Sequence, residues 1–187
     1  MLRAGVTKEK IFKLSEKISN KEGYENLTMG HLARELGIKT PSLYKHVSDL
    51  EEIQEYLAVR GLSLLRFRLE SLSHFSDIKY FNACVLEYRR FALENPGLYA
   101  AFQKTHVNRS TAVQLEAKKI LDLIFRMLLE INIKKKDLIS AARALRSCIH
   151  GFITLEKSGG FGMPEDLNKS FSYMIKIFIR GMSDSVK

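Results

Sequence analysis

Cysteine is nearly absent: Cys84 and Cys148 are the two in 187 residues. Each lies in an apolar stretch of helical period, which reads as two buried free thiols and excludes a disulfide framework. The five histidines, at 31, 46, 74, 106 and 150, have no close metal-ligand spacing, so no metal or other cofactor is expected. No apolar run reaches the ~18 residues that would span a bilayer. Met1 to Lys10 is polar and basic with no apolar run behind it, so no signal peptide is expected there, and a cytoplasmic location is the expectation. Strand-like alternation and internal repeats are also missing. The one glycine-rich loop, SGGFGMPED, lacks both a flanking strand and a Gly-Lys-Ser/Thr sequel, against a phosphate-binding loop. No nucleophile–base pair can be read from the chain, and an enzyme is not expected.

What is present is basic charge and helical period. The net charge is +9 with a pI near 9.5, which points only generally to an acidic partner. Residues 1–50 carry nine Lys/Arg against six Asp/Glu, residues 51–105 seven of each, and residues 106–187 fourteen against eight. The excess is spread along the chain and locates no site.

Helix signals recur throughout. Thr7 is placed as an N-cap before Ile11, Leu14 and Ile18, with Gly23 as the stop. Thr28 caps the next helix, with Leu27 and Leu32 spaced as a hydrophobic staple, and Gly37 ends it with an expected positive φ. Thr40 is then the expected N-cap of a short helix with Pro41 at its first position. Asp49 and Glu52, three apart, form a capping-box-like start to a long helix. Further helices follow over IKYFNACVLEYRRFALE, from Asn95-Pro96 onward, over STAVQLEAKKILDLIFRMLLEI, over DLISAARALRSCIHGFITLEK and over FSYMIKIFIRGM. The fold class is all-α with about nine helices: residues 1–48 as a three-helix, helix–turn–helix domain and residues 49–187 as a helical ligand-sensing and dimerisation domain.

The segment from Pro41 to Val47, PSLYKHV, carries little apolar surface. At 100° per residue Leu43 and Val47 share one direction, toward a core, while Pro41, Ser42, Tyr44 and Lys45 point elsewhere and His46 lies at the flank. A glycine turn joins this segment to the preceding helix. That is a helix–turn–helix pattern, whose second helix fits the ~12 Å major groove of DNA. Lys45 can neutralise a phosphate or donate to a guanine edge, and Ser42 and Tyr44 can reach phosphate or base. Thr28 and Thr40 stand at helix starts, where backbone N–H groups favour an anion. The plainer alternative is a solvated face on a small three-helix core.

The stretch LTMGHLARELGIKTPSLYKHV resembles the TetR family of bacterial transcriptional regulators. The resemblance covers roughly residues 7–53: the helix opened by Thr7, Leu27-Thr28-Met29, LARELGIK, and Leu43-Tyr44 followed by His46-Val47. It implies that Thr28, Lys39, Thr40, Pro41, Ser42, Tyr44, Lys45 and His46 line DNA. One position departs: family members commonly carry a phosphate-contacting lysine at the start of the fourth helix, and Leu50 stands there. ENPGLYAAF and CIHGFITLEKSGGFG resemble the C-terminal domain of a subgroup named for a Trp-His-Gly pattern. His150-Gly151 match it, but Arg146 occupies the tryptophan position.

Two jobs are expected of the remaining helices. Ile149 and Phe152 on one, and Met174, Ile175, Phe178 and Met182 on the last, belong to apolar arcs wider than one core contact requires. Pairing with a second copy as a four-helix bundle would bury the excess, and the resemblance implies the same homodimer. Tyr88, Phe91, Tyr99, Phe102, His106 and Phe125 are the expected lining of an effector pocket. His150 shares a polar stripe with Arg143, Arg146, Ser147, Thr154 and Lys157, expected to face solvent. The function expected is a ligand-responsive repressor that binds a palindromic DNA operator and is released by a small molecule. Two alternatives stand beside it: a helical ligand-binding or adaptor protein that has lost operator binding, and an all-α enzyme with a dispersed site.

Overall fold

A computed structural model describes residues 5–72, 76–104 and 110–184. Among these there are nine α-helices and no strand. In chain order they are α1 (Lys8–Glu22), α2 (Met29–Leu36), α3 (Thr40–Leu43), α4 (Leu50–Glu70), α5 (Asp77–Glu94), α6 (Pro96–Lys104), α7 (Thr111–Glu130), α8 (Leu138–Lys157) and α9 (Leu167–Asp184). Short 3-10 turns lie at Tyr24–Asn26 and Lys135–Asp137. None of the described helices is long and apolar enough to cross a membrane.

Residue contacts divide the chain into two compact units. The first holds residues up to Leu64 together with Glu94–Ala117, and the second holds Leu65–Leu93 with Lys118–Lys187. Helices α4 and α7 each contribute to both.

In the first unit the caps act as the residue types require. Thr7 accepts from the Lys10 N–H at 3.3 Å, and Thr28 from the His31 N–H at 3.1 Å, each satisfying one of the orphan donors of a helix start. Asp49 Oδ1 accepts from the Glu52 N–H at 2.9 Å. The reciprocal bond differs from the usual capping box: the Glu52 carboxylate reaches Ser48, taking its N–H at 2.6 Å and its hydroxyl at 3.0 Å. Beneath these ends Ile11, Leu27, Leu32, Leu43, Ile53 and Leu57 form a buried core, with Phe12 stacked on Tyr56 at 4.0 Å.

Helix α6 belongs to this same unit and packs against α1. The close approach is made by Gly97: a Cβ added there would lie 2.2 Å from the Ser19 carbonyl carbon. The Asn20 side-chain oxygen accepts from the Gly97 N–H at 2.9 Å, closing the start of α6 from a distance of 77 residues in sequence. Gly61 in α4 lets a second backbone approach, since a Cβ there would meet the Leu98 carbonyl oxygen at 2.9 Å.

In the second unit Phe81, Phe91, Leu145, Phe152, Phe171 and Ile175 are buried. Phe81 of α5 lies 6.4 Å from Phe178 of α9. Arg89, about two turns on along α5, sits 4.9 Å over Phe171, about two turns back on α9, so the two helices run antiparallel. Arg89 is itself buried, with its charge held by Glu156 at 2.8 Å and by the Asn168 side-chain oxygen at 2.8 Å. A buried guanidinium needs that complete a set of acceptors.

The expectation of two buried thiols is corrected on one count. Cys84 is buried and Cys148 is exposed, because Cys148 falls on the outer rather than the inner half of the wide apolar arc of α8. Burial pushes the Cys84 thiol up to about 11, leaving it neutral and unreactive.

Candidate nucleic-acid interface

The turn between α2 and α3 is set by Gly37, whose φ of 65° and ψ of 32° lie in the left-handed region and cost a glycine little. The Ile38 N–H reaches back to the Ala33 carbonyl at 3.0 Å and that of Gly37 to Arg34 at 3.1 Å, a helix stop that sends the chain sharply into α3.

Helix α3 is shorter than the spacing suggests. It covers Thr40–Leu43 and continues through hydrogen-bonded turns at 44–46. Its N-cap is Lys39, in extended conformation and with no side-chain cap bond, so Thr40 is the first helical residue and not the expected N-cap. The first turn closes tightly, with the Ser42 N–H on the Lys39 carbonyl at 2.8 Å. The Val47 N–H reaches the Leu43 carbonyl at 3.1 Å, so one further helical turn brings Val47 under Leu43. Both side chains are buried.

The residues expected to read DNA divide by exposure. Thr28, Lys39, Pro41, Tyr44 and Lys45 are exposed, and Thr40, Ser42 and His46 are half-buried. Tyr44 is the clearest case, 55% exposed although it carries a large ring between two core residues. Its ring therefore stands outside the small core that Leu43 and Val47 enter. Leu50, at the departing position, is half-buried at the first turn of α4.

Two further side chains, His31 and Glu52, hold this surface through contacts that the sequence does not show. His31 Nδ1 is 3.0 Å from the Asn26 carbonyl and Nε2 is 3.5 Å from Glu22, fixing the start of α2 to the end of α1. Glu52 bonds Ser48, just after the reading turn, and pairs with Lys8 at the start of α1. The Lys8 ammonium, then the Ser48 N–H, hold its carboxyl below the usual carboxylate range.

The expected effector-pocket residues are core side chains or half-buried ones. Tyr99 and Phe102, in the first unit, pack edge to face at 5.3 Å and are buried. In the second unit Phe91 is fully buried, with Arg68 5.6 Å from its ring centre, while Tyr88 and Phe125 are half-buried. His106 lies outside the described residues. Aromatics at helical spacing announce burial, and burial alone does not separate a cavity wall from a packed core.

The expected dimer residues also turn inward. Ile149, Phe152, Ile175 and Phe178 are buried within the chain's own second unit, and Met174 and Met182 are half-buried. The exposed apolar surface on the same helices includes Ile139, Cys148 and Leu155 on α8 and Tyr173 and Ile177 on α9. On the polar stripe of α8, Arg143, Arg146, Ser147, Thr154 and Lys157 are exposed and His150 half-buried. Burial, then Arg146 and Lys157, lower the His150 pKa, so it stays neutral near pH 7.

A tight helix–glycine turn–helix with an exposed polar face, ahead of a larger all-helical region, defines the class of helix–turn–helix regulators. The family described as tetracyclin repressor-like, C-terminal domain, matches residues 81–178. The chain is 33% identical over 183 residues to the HTH-type transcriptional regulator YobS of Bacillus subtilis, covering 96% of this chain and 94% of that one. A protein of unknown function from Rhodococcus sp. RHA1 has a similar structure, with a TM-score of 0.78, 23% identity and 97% of each chain covered. BioQ with its double-stranded DNA operator has a TM-score of 0.66 at 18% identity, over 94% of this chain and 99% of that one. The chain belongs to the TetR family of transcriptional regulators.

Proposed function

We propose that this regulator acts in the cytoplasm as a homodimer, binds a palindromic operator through two copies of the Thr40–His46 turn, and represses transcription until a small molecule bound in its C-terminal region releases it. One observation carries the reading: a short turn pinned from below by Leu43 and Val47 and showing Lys39, Tyr44 and Lys45 to solvent. Such a face has no use within the fold and fits the major groove. Two-fold symmetry of the protein calls for a two-fold symmetric site, with half-sites about one helical turn (~34 Å) or a multiple of it apart. Lys39, Lys45 and Thr28 would fix the register on phosphates, while Ser42, Tyr44 and His46 reach base edges or sugar.

Sequencing the genomic fragments retained by the purified protein identifies the operator. Affinity for it is expected to fall steeply with salt, each neutralised phosphate adding ~0.9 to the slope of log K against log salt. Transcription in vitro from the recovered promoter then gives the sign of regulation: added protein lowers transcript if the chain is a repressor. A second reading, a helical ligand-binding protein without operator activity, is favoured by Leu50 at the position where the family commonly has a phosphate-contacting lysine. No retained fragment at low salt, with the protein folded and dimeric, would establish that reading instead.

A further inference from the structure

Helices α5 and α9 leave between them an open cleft of about 540 Å³, within the range of small-molecule sites. It lies in the second unit and contains none of the aromatics expected to line a pocket. Because the helices run antiparallel, its two ends differ in chemistry. Val85, Leu86, Phe171 and Ile175 make one end apolar, with Ser172 the one polar side chain there. The other end holds Ile78, Asn82 and Ile179 together with Lys176 and Arg180. The two cations stand four residues apart on one face of α9, both exposed. None of the cleft's lining residues is acidic. Elsewhere in this unit Arg66 is paired with Glu70, Arg68 with Glu87 and Arg89 with Glu156.

We propose that this cleft binds an amphipathic anion, its carboxylate or similar head between Lys176 and Arg180 near Asn82 and its apolar body along Leu86, over the floor made by Val85, Ile175 and Phe171. An apolar floor excludes a simple inorganic anion as the natural occupant, since half of the cleft would stay unfilled. The paired cations favour an anionic over a neutral or cationic amphiphile, since only an anion gains charge-assisted hydrogen bonds from them. Arg and Lys four apart can hold the two oxygens of one carboxylate, and the planar guanidinium favours a bidentate grip. This inference names the ligand class for the effector half of the function proposed above and rests on that reading for its regulatory meaning only.

Calorimetry on the full chain with decanoate, decanol and decyltrimethylammonium tests it. Decanoate should bind once per chain, at least roughly tenfold more tightly than either control, since a hydrogen bond between charged groups is worth about that factor or more. Lys176→Ala with Arg180→Ala should remove that preference, and the preference should weaken with added salt. Leu86→Trp, at an exposed position, should block decanoate by filling the apolar end while leaving both cations in place. Equal binding of decanol, or decanoate affinity unchanged in the double variant, overturns the assignment. So does a change of oligomeric state in the double variant, which would show that a second copy of the chain covers the cleft. If decanoate binds as described and operator affinity does not respond to it, the cleft stands and the effector reading fails.

Discussion

Tyr44 shows how much one side chain can be asked to say. The 100° wheel alone turns its neighbours Leu43 and Val47 inward, and both are buried. The same wheel turns Tyr44 outward, and it is 55% exposed. Truncation to alanine should therefore leave the melting temperature within about 2 °C of wild type, because little buried area is lost. Operator affinity should fall much further. One hydrogen bond to a charged phosphate is worth ~1.5–3 kcal/mol, and a symmetric dimer loses it twice, so binding should weaken by roughly two orders of magnitude or more. Fluorescence anisotropy with the operator, beside a thermal melt, checks both halves. A collapsed melting temperature would make Tyr44 structural, and unchanged affinity would remove α3 as the reading head. The cap of α3 was less legible than its wheel. Threonine before proline looks like a cap by residue type, yet the chain turns one residue earlier, at Lys39, following the Gly37 stop.

At the scale of elements, the caps and stops that depend on neighbours in sequence were readable, and the contacts that lock elements together were not. Thr7, Thr28 and Asp49 each cap where their residue types and spacing place them. Nothing local to Gly97 shows that α1 crosses it, because the partners Ser19 and Asn20 stand far away in sequence. Gly97→Ala puts a methyl group 2.2 Å from backbone, which side-chain adjustment cannot relieve. We expect a loss of ~2 kcal/mol or more, as for other overpacked sites, seen as a lower midpoint in urea. Glu52 ties Lys8, Ser48 and α4 together. Its carboxyl pKa is lowered in the folded chain, so the stabilisation is present above the unfolded value and is lost as pH falls through the folded one. Glu52→Gln should cost about 1 kcal/mol at pH 7, a figure held down by the exposure of Lys8. The difference between variant and wild type should shrink on acidification below the ordinary glutamate value, which melts at pH 7 and pH 3 will measure.

For the whole molecule, the sequence revealed that α8 and α9 carry more apolar surface than one core needs, without showing which half faces inward. A wide arc has no internal landmark, and the choice depends on what packs against it. In the structure the inner half of α8 is Leu145, Ile149 and Phe152, and that of α9 is Phe171, Ile175 and Phe178. The outer half keeps Ala144, Cys148, Gly151 and Leu155 at helical spacing on α8, and Tyr173 and Ile177 on α9. Tyr173 is 67% and Ile177 53% exposed, so these residues, and not the buried ones, have area left to lose on association. The two positions 177 and 178 adjoin in sequence and separate the cases. Ile177→Glu puts a charge on the outer face, where a lone chain solvates it freely; in a four-helix bundle with a second copy it would be buried without a partner, at several kcal/mol per site. Sedimentation should therefore show a folded monomer, with operator affinity reduced because one helix–turn–helix unit makes half the contacts. Phe178→Arg instead strikes the packing against Phe81, and should lower the melting temperature before any effect on association can be read. If Ile177→Glu remains a dimer at micromolar concentration while folded, the two chains meet elsewhere, and the expected half-site spacing must be drawn from that other interface.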